Sequence, residues 1–212
     1  MRSPLAESQR EALIEAMLPD VAFDGWSRAA LRAGARRIGI PAEEARAHFP
    51  AGAADLVAAF SHWADQRLLD RLETSPLDQL RIPDRIALAL TTRLEIIEPW
   101  REAVRRAIAV LALPQHAPLG LQLLYQTVDG VWYAVGDRAT DFSFYTRRAT
   151  LATIHAAALL YWLEDRSAGF ADTRGFIERR LAEVAAFGRA RQRLARAVDT
   201  LPNPFRLLRQ HQ

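Results

Sequence analysis

At 212 residues the chain has the length of one large domain, or of one domain with a small appended module. Half of its residues are hydrophobic and a quarter are charged, a globular composition that excludes disorder as the starting expectation. Zero cysteines exclude a disulfide framework, a thiolate zinc site and a cysteine nucleophile, and the net charge of +3 is too small for a strong nucleic-acid field. All 28 basic residues are arginines scattered along the chain, as a GC-rich genome would write them. The opening MRSPLAESQREALIEAML lacks the basic-then-apolar layout of a secretory signal, so none is expected. A reducing setting follows, and a bacterial cytoplasmic protein is the expectation.

Apolar spacing reads as helix nearly throughout, with no alternating run of strand character. Helices are predicted over 4–18, 27–38, 42–48, 51–74, 83–97, 99–113, 118–136, 141–164 and 172–200. The first ends at Pro19 because a proline cannot donate within a helix; Pro83, Pro99 and Pro118 suit first turns instead. Asp141 and Asp172 are placed to cap the last two helices. Trp100, Val104, Ile108 and Leu111 form one stripe, and Leu121, Leu124, Tyr125, Val128, Trp132 and Val135 another. Ile177, Leu181, Val184, Leu194 and Val198 follow the ninth helix, with Gly188 a weak point. The run from Ala149 to Leu163 is apolar all round, but it is shorter than the roughly 20 residues of a bilayer crossing. It reads as a central core helix or a subunit face.

The first fifty residues suggest a helix-turn-helix unit whose turn is Ile38-Gly39-Ile40-Pro41, with Gly39 free to take positive φ. The following Ala47-His48-Phe49-Pro50 and Leu56 resemble the junction at which TetR-type repressors anchor the recognition helix on the fourth helix. A TetR-type, ligand-responsive, DNA-binding transcriptional regulator is therefore the alternative reading. Charge argues against it, because the second helix begins Pro41-Ala42-Glu43-Glu44 and would aim two carboxylates at phosphates. Arg28, Arg32, Arg36 and Arg37 on the preceding helix read as a solvated face.

Catalytic constellations are missing. A carboxylate-bridged di-iron bundle needs paired Glu and Glu-x-x-His ligands, and the only approach to them, Glu44 with His48, has no partners. No H-E-x-x-H, P-loop, G-x-G-x-x-G or G-x-S-x-G occurs, and the five histidines are dispersed. His155, inside the apolar run, reads as a hydrogen-bonded core histidine. No catalytic residue, metal site or cofactor is expected, and the chain reads as a non-enzyme.

From residue 93 onward one continuous series stands out. It comprises Arg93-Leu94-Glu95-Ile96-Ile97-Glu98-Pro99-Trp100, then Leu113-Pro114-Gln115-His116, then Val128-Asp129-Gly130-Val131-Trp132-Tyr133-Ala134-Val135-Gly136-Asp137. It closes with Thr140-Asp141-Phe142-Ser143-Phe144-Tyr145-Thr146-Arg147-Arg148-Ala149. This series closely resembles the lipid-binding accessory protein of ubiquinone biosynthesis, the ninth member of the Coq series. The similarity covers roughly residues 8–190, and the Gly136-to-Arg148 run carries most of its specificity.

The resemblance implies an all-α, TetR-like fold: an N-terminal helix-turn-helix that has lost DNA binding, over 1–50, and a larger helical ligand-binding domain over 51–200. It implies a bound isoprenoid or phospholipid, a homodimer, and assistance to the demethoxyubiquinone hydroxylase, a membrane-associated di-iron enzyme. For the lipid, the candidates are Phe60, Trp63, Leu90, Leu94, Ile97, Trp100, Ile108, Leu111, Leu121, Leu124, Tyr125, Leu151 and Ile154. For docking the hydroxylase they are Val131, Trp132, Asp141, Phe144, Tyr145 and Arg148, around the corner between the seventh and eighth helices. Phe144 and Tyr145 point about 100° apart on a helix, so one of them is expected to be exposed. Arg147 and Arg148 equally suit a structural knot with Asp137 and Asp141. The family's C-terminal amphipathic membrane helix is not matched: after Leu201-Pro202-Asn203-Pro204 only the tail from Phe205 to Gln212 follows, enough for a marginal headgroup contact. Location is expected to be cytoplasmic, with peripheral and transient attachment to the inner membrane.

Overall fold

The computed structural model describes residues 4–136 and 142–199; side chains at 4–6, 142–144, 188–189 and 191–199 are outside the description. The described residues fold into α1 (Pro4–Asp24), α2 (Arg28–Arg37), α3 (Ala42–His48), α4 (Ala53–Glu73), α5 (Ile82–Ile97), α6 (Arg101–Leu111), α7 (Ala117–Ala134), α8 (Phe142–Glu164) and α9 (Ala171–Asp199). No strand occurs among them.

Local chemistry accounts for most boundaries. Ser27 caps α2, its Oγ accepting from the backbone N–H groups of Ala29 at 3.2 Å and Ala30 at 3.3 Å. Gly39 takes φ +74° in the α2–α3 turn, as the sequence suggests. Pro83 and Pro118 each stand second in their helix, where a missing N–H costs nothing. Pro19 departs from expectation: α1 runs through it to Asp24. Buried Met17 and Leu18 on one side and Val21 on the other hold the helix across the missing hydrogen bond.

The α8–α9 turn also departs from expectation. Asp172 lies inside α9, and the capping work falls to Asp165. One carboxylate oxygen of Asp165 accepts from Ser167 N at 2.8 Å and Ser167 Oγ at 2.6 Å; the other accepts from Thr173 N at 2.8 Å and Thr173 Oγ1 at 2.5 Å. Burial alone would raise this carboxyl, but the four bonds outweigh it and hold the pKa at about 2. Arg101 closes the same turn from α6, donating to the carbonyls of Trp162 and Asp165 at 2.8 and 2.5 Å. Asp141, the expected cap of α8, lies outside the described residues.

Packing is continuous. α1 lies so close to α2 that a Cβ on Gly34 would stand 2.8 Å from the Met17 backbone. α1 also packs on α4 and α6, so Leu13, Ile14 and Met17 share one core with Leu56, Phe60 and Leu94. α8 packs against α5, α7 and α9, and its Trp162 is fully buried. α8 also leaves Leu160 and Tyr161 partly exposed. α9 continues through Gly188; Ile177 and Leu181 are buried, Val184 is exposed, and the side chains of Leu194 and Val198 are not described.

Candidate functional site

Between α4, α5, α6, α7 and α8 lies a cavity of about 330 Å³. Protein interiors pack like organic crystals, with few voids larger than a water molecule, so a space of this size between five helices is a candidate ligand site. Helical phase explains its walls. Phe60 and Val57 face it from α4, Ile97 from α5, and Val104, Ala107, Ile108 and Leu111 from α6. α7 presents Gly120, Leu123 and Leu124 to it, and α8 presents Ala156, Leu159 and Leu160. Small residues at 107, 120 and 156 keep three helices apart from filling it.

Four polar side chains interrupt this apolar lining: Ser61, Arg93, Thr127 and His155. Arg93 is buried on α5 and donates from Nε to Asp65 Oδ1 on α4 at 2.8 Å. Its Nη2 approaches Ser61 Oγ at 3.4 Å and Thr127 Oγ1 at 3.5 Å, and Thr127 in turn donates to Asp65 at 2.9 Å. His155 is 3 % exposed, and its ring has no hydrogen bond to a described residue. Burial, reinforced by the charge of Arg93, pulls its pKa down to about 3. The imidazole is therefore neutral at physiological pH, with one donor and one acceptor nitrogen.

Of the residues selected from sequence for the ligand, Phe60, Ile97, Ile108, Leu111 and Leu124 line this cavity. Trp63, Leu90 and Leu94 are buried behind it, with Trp63 stacked on Phe60 at 5.6 Å between ring centroids. Trp100 is half-buried against the core. Leu151 and Ile154 border a different groove of about 510 Å³ between α5, α8 and α9, together with Trp132. Leu121 and Tyr125 are 69 % and 48 % exposed, so the stripe proposed for α7 does not all face inward. The inward face of that half of α7 is set by Gly120, Leu123, Leu124 and Thr127, and Leu121 and Tyr125 lie around the helix from it.

The docking candidates separate too. Val131 is fully buried and Trp132 is 8 % exposed, so neither offers contact area to a partner without rearrangement. Arg148 is buried and donates from Nε to Asp129 Oδ1 at 2.6 Å. Tyr145 is 68 % exposed, as one of the aromatic pair was expected to be, and Tyr133 on α7 is 80 % exposed. Asp137, Asp141 and the side chain of Phe144 lie outside the described residues, as does the tail over 201–212.

Sequence reasoning placed His155 in the core but missed Ser61, Arg93 and Thr127 as members of the cavity wall. The signal was there: Arg93 falls in phase with Leu90, Leu94 and Ile97, Asp65 with Leu68 and Leu72, and Thr127 with Leu123 and Val131. Opposite charges in phase with two apolar stripes mark a buried pair.

In α3, by contrast, the first turn carries Glu43 and Glu44, both exposed, so the start of this helix is acidic in space as well as in sequence. Among the described residues no three His, Asp or Glu side chains gather as a metal-holding group, and no single helix is long and apolar enough to cross a membrane.

Residues 117–188, which include α7, α8 and the first part of α9, match the model of the COQ9 family. The chain is 36 % identical over 179 residues to the mitochondrial ubiquinone biosynthesis protein COQ9 of Drosophila melanogaster, covering 82 % of this chain and 55 % of that one. It is 31 % identical to the human protein of the same name, covering 92 % and 63 %. With COQ9-B of Xenopus laevis the identity is 32 %, covering 89 % and 67 %. The chain thus spans little more than half the length of the fly relative and under two thirds of the human one. A TetR transcriptional regulator from Nitrosomonas europaea superposes with a TM-score of 0.68 at 23 % identity, over 84 % of this chain and 98 % of that one, which shows an all-α, TetR-like fold. The location expected from sequence is corrected: these relatives are named as mitochondrial, which overturns a bacterial cytoplasmic protein at the inner membrane. Shared sequence over most of its length, with the matched α7–α9 segment, makes the chain a member of the COQ9 family.

Proposed function

We propose that this chain is a non-catalytic accessory protein of ubiquinone biosynthesis that holds an isoprenoid lipid and presents it to the demethoxyubiquinone hydroxylase. The observation that carries the reading is the cavity of about 330 Å³, lined chiefly by apolar side chains of five helices. The names of the relatives supply the pathway, as each is a ubiquinone biosynthesis protein. The exposed aromatics Tyr133 and Tyr145, near the corner between α7 and α8, are the surface on which the hydroxylase would dock. A homodimer and a transient membrane contact during loading complete the proposal. The TetR-like fold also suggests a DNA-binding regulator, but the acidic first turn of α3 opposes phosphate contact and favours the accessory role.

Native mass spectrometry of the purified chain, followed by lipid extraction, tests this directly. A bound isoprenoid or quinone, on an intact species of twice the chain mass, is the expected result. An empty protein that also fails to capture the hydroxylase would remove the proposal, and salt-dependent DNA binding would revive the regulator.

A further inference from the structure

The groove between α5, α8 and α9 takes no part in the function proposed above. It encloses about 510 Å³, within the range of small-molecule sites. Ile86, Leu151, Ile154 and Leu181 give it a buried apolar floor. Ile82, Val184 and Phe187, also in its lining, are 52 %, 44 % and 73 % exposed, so apolar surface is left in water along its rim. Polar groups gather at the start of α8, as Thr146, Arg147 and Thr150, and no carboxylate lines the groove. Trp132 of α7 lines it too, and the indole N–H of Trp132 is buried without a hydrogen-bond partner. A smaller depression shares Pro83, Leu181 and Ala185 with the groove and continues it along α5 and α9 to Asp84 and Glu178.

We propose that this groove is a second binding site, for an acyl carboxylate: a chain-bearing anion whose head lies beside Arg147 and Trp132 and whose chain covers Leu181, Val184 and Phe187. The site is separate from the five-helix cavity and stands whether or not that cavity holds a lipid.

Charge fixes the head. An anion is drawn to the guanidinium at the α8 end. At the other end Arg81 is already paired with Asp84 at 3.0 Å, which leaves Glu178 to repel it. A carboxylate oxygen also offers the Trp132 indole an acceptor to turn toward, which no protein atom does. The apolar floor and rim then call for a chain rather than a bare anion, because covering Val184 and Phe187 removes apolar surface from water. A neutral alcohol of the same length would satisfy the indole but gain nothing from the guanidinium.

Calorimetric titration of the full chain with decanoate and with decanol, in wild type and in Ala156→Phe, tests the assignment. The Ala156→Phe ring occupies the five-helix cavity and leaves only the groove to read. Decanoate should bind wild type and Ala156→Phe equally, and in Ala156→Phe it should bind at least about tenfold tighter than decanol. Added to that background, Arg147→Gln should weaken decanoate about tenfold and leave decanol unchanged, while Ala185→Phe, which fills the groove, should weaken both. Should Arg147→Gln not fold, the indole ¹⁵N–¹H resonance of Trp132 in the wild type carries the test, since decanoate should move it and decanol should move it less. Decanoate that fails to bind, that binds no tighter than decanol, or that is lost in Ala156→Phe would overturn the assignment. So would an indole resonance that answers to protein concentration and not to decanoate, which would give the groove to a second copy of the chain.

Discussion

Arg93 Nε lies 2.8 Å from Asp65 Oδ1, with side-chain exposures of 8 % and 18 %. Two charges on neighbouring helices are thus taken largely out of water together. Their attraction offsets their desolvation only while both remain. Asp65→Ala leaves a buried guanidinium without its counter-charge and removes an acceptor from Thr127, so a loss of about 3–5 kcal/mol is expected in urea unfolding. The double variant Asp65→Leu, Arg93→Met should recover most of that loss, because apolar groups of similar size need no partner. A single variant within about 1 kcal/mol of wild type would show the pair to be solvated.

Stability should also fall in mild acid through His155. Its pKa is about 3 in the folded chain against 6.5 when unperturbed. Between these values the unfolded chain takes up a proton that the folded chain refuses, so folding weakens by roughly 1.4 kcal/mol per pH unit as pH drops below the unfolded value. Above it, His155 adds no pH dependence. Comparing wild type with His155→Gln in urea at about pH 7.5 and about pH 5 should show the wild type losing about 2 kcal/mol more over that interval. Parallel losses in the two proteins would mean that the imidazole is hydrated in the cavity.

Close packing of α1 on α2 depends on Gly34. Its hypothetical Cβ meets the Cβ and N of Met17 at 2.8 Å and the Cα at 3.0 Å, and backbone atoms cannot swing aside. Gly34→Ala therefore has to push the helices apart at a cost of about 1–3 kcal/mol, or roughly 3–10 °C in melting temperature. Gly120→Ala is the control. There the nearest atom is Leu111 Cβ at 3.6 Å, an ordinary contact, and alanine favours the helix. A melting temperature as high for Gly34→Ala as for Gly120→Ala would mean that the pair yields easily.

The helices were legible because proline, cap residues and apolar period act locally, and every element predicted from sequence has a counterpart in the fold. Where reading failed, tertiary contacts had overridden the local signal. Pro19 ends a helix on local grounds, yet Met17, Leu18 and Val21 bury around it and α1 continues. Asp172 has the right type and place for a cap, but Asp165 captures the turn because it reaches both Ser167 and Thr173. The cavity was harder still. Periodicity shows which face of a helix is apolar but not whether that face meets a neighbour or a space, so Phe60 and Leu124 read the same as Leu90 and Leu94. Leu121 and Tyr125 were misplaced for the same reason.

Filling the cavity separates ligand binding from folding. Ala156 lines it from α8 and is half-buried, so an aromatic ring introduced there points into existing space rather than into packed neighbours. Ala156→Phe should leave the melting temperature of the lipid-free protein unchanged or raise it by a few degrees, because added apolar contact replaces void. Lipid recovered from the purified variant should drop at least about tenfold, since one ring removes a large part of a small-molecule site. Lipid extraction and thermal unfolding on the same preparation read both effects. A variant that melts normally and still carries its lipid would place the ligand elsewhere, with the second groove beside Leu151 and Ile154 next in line.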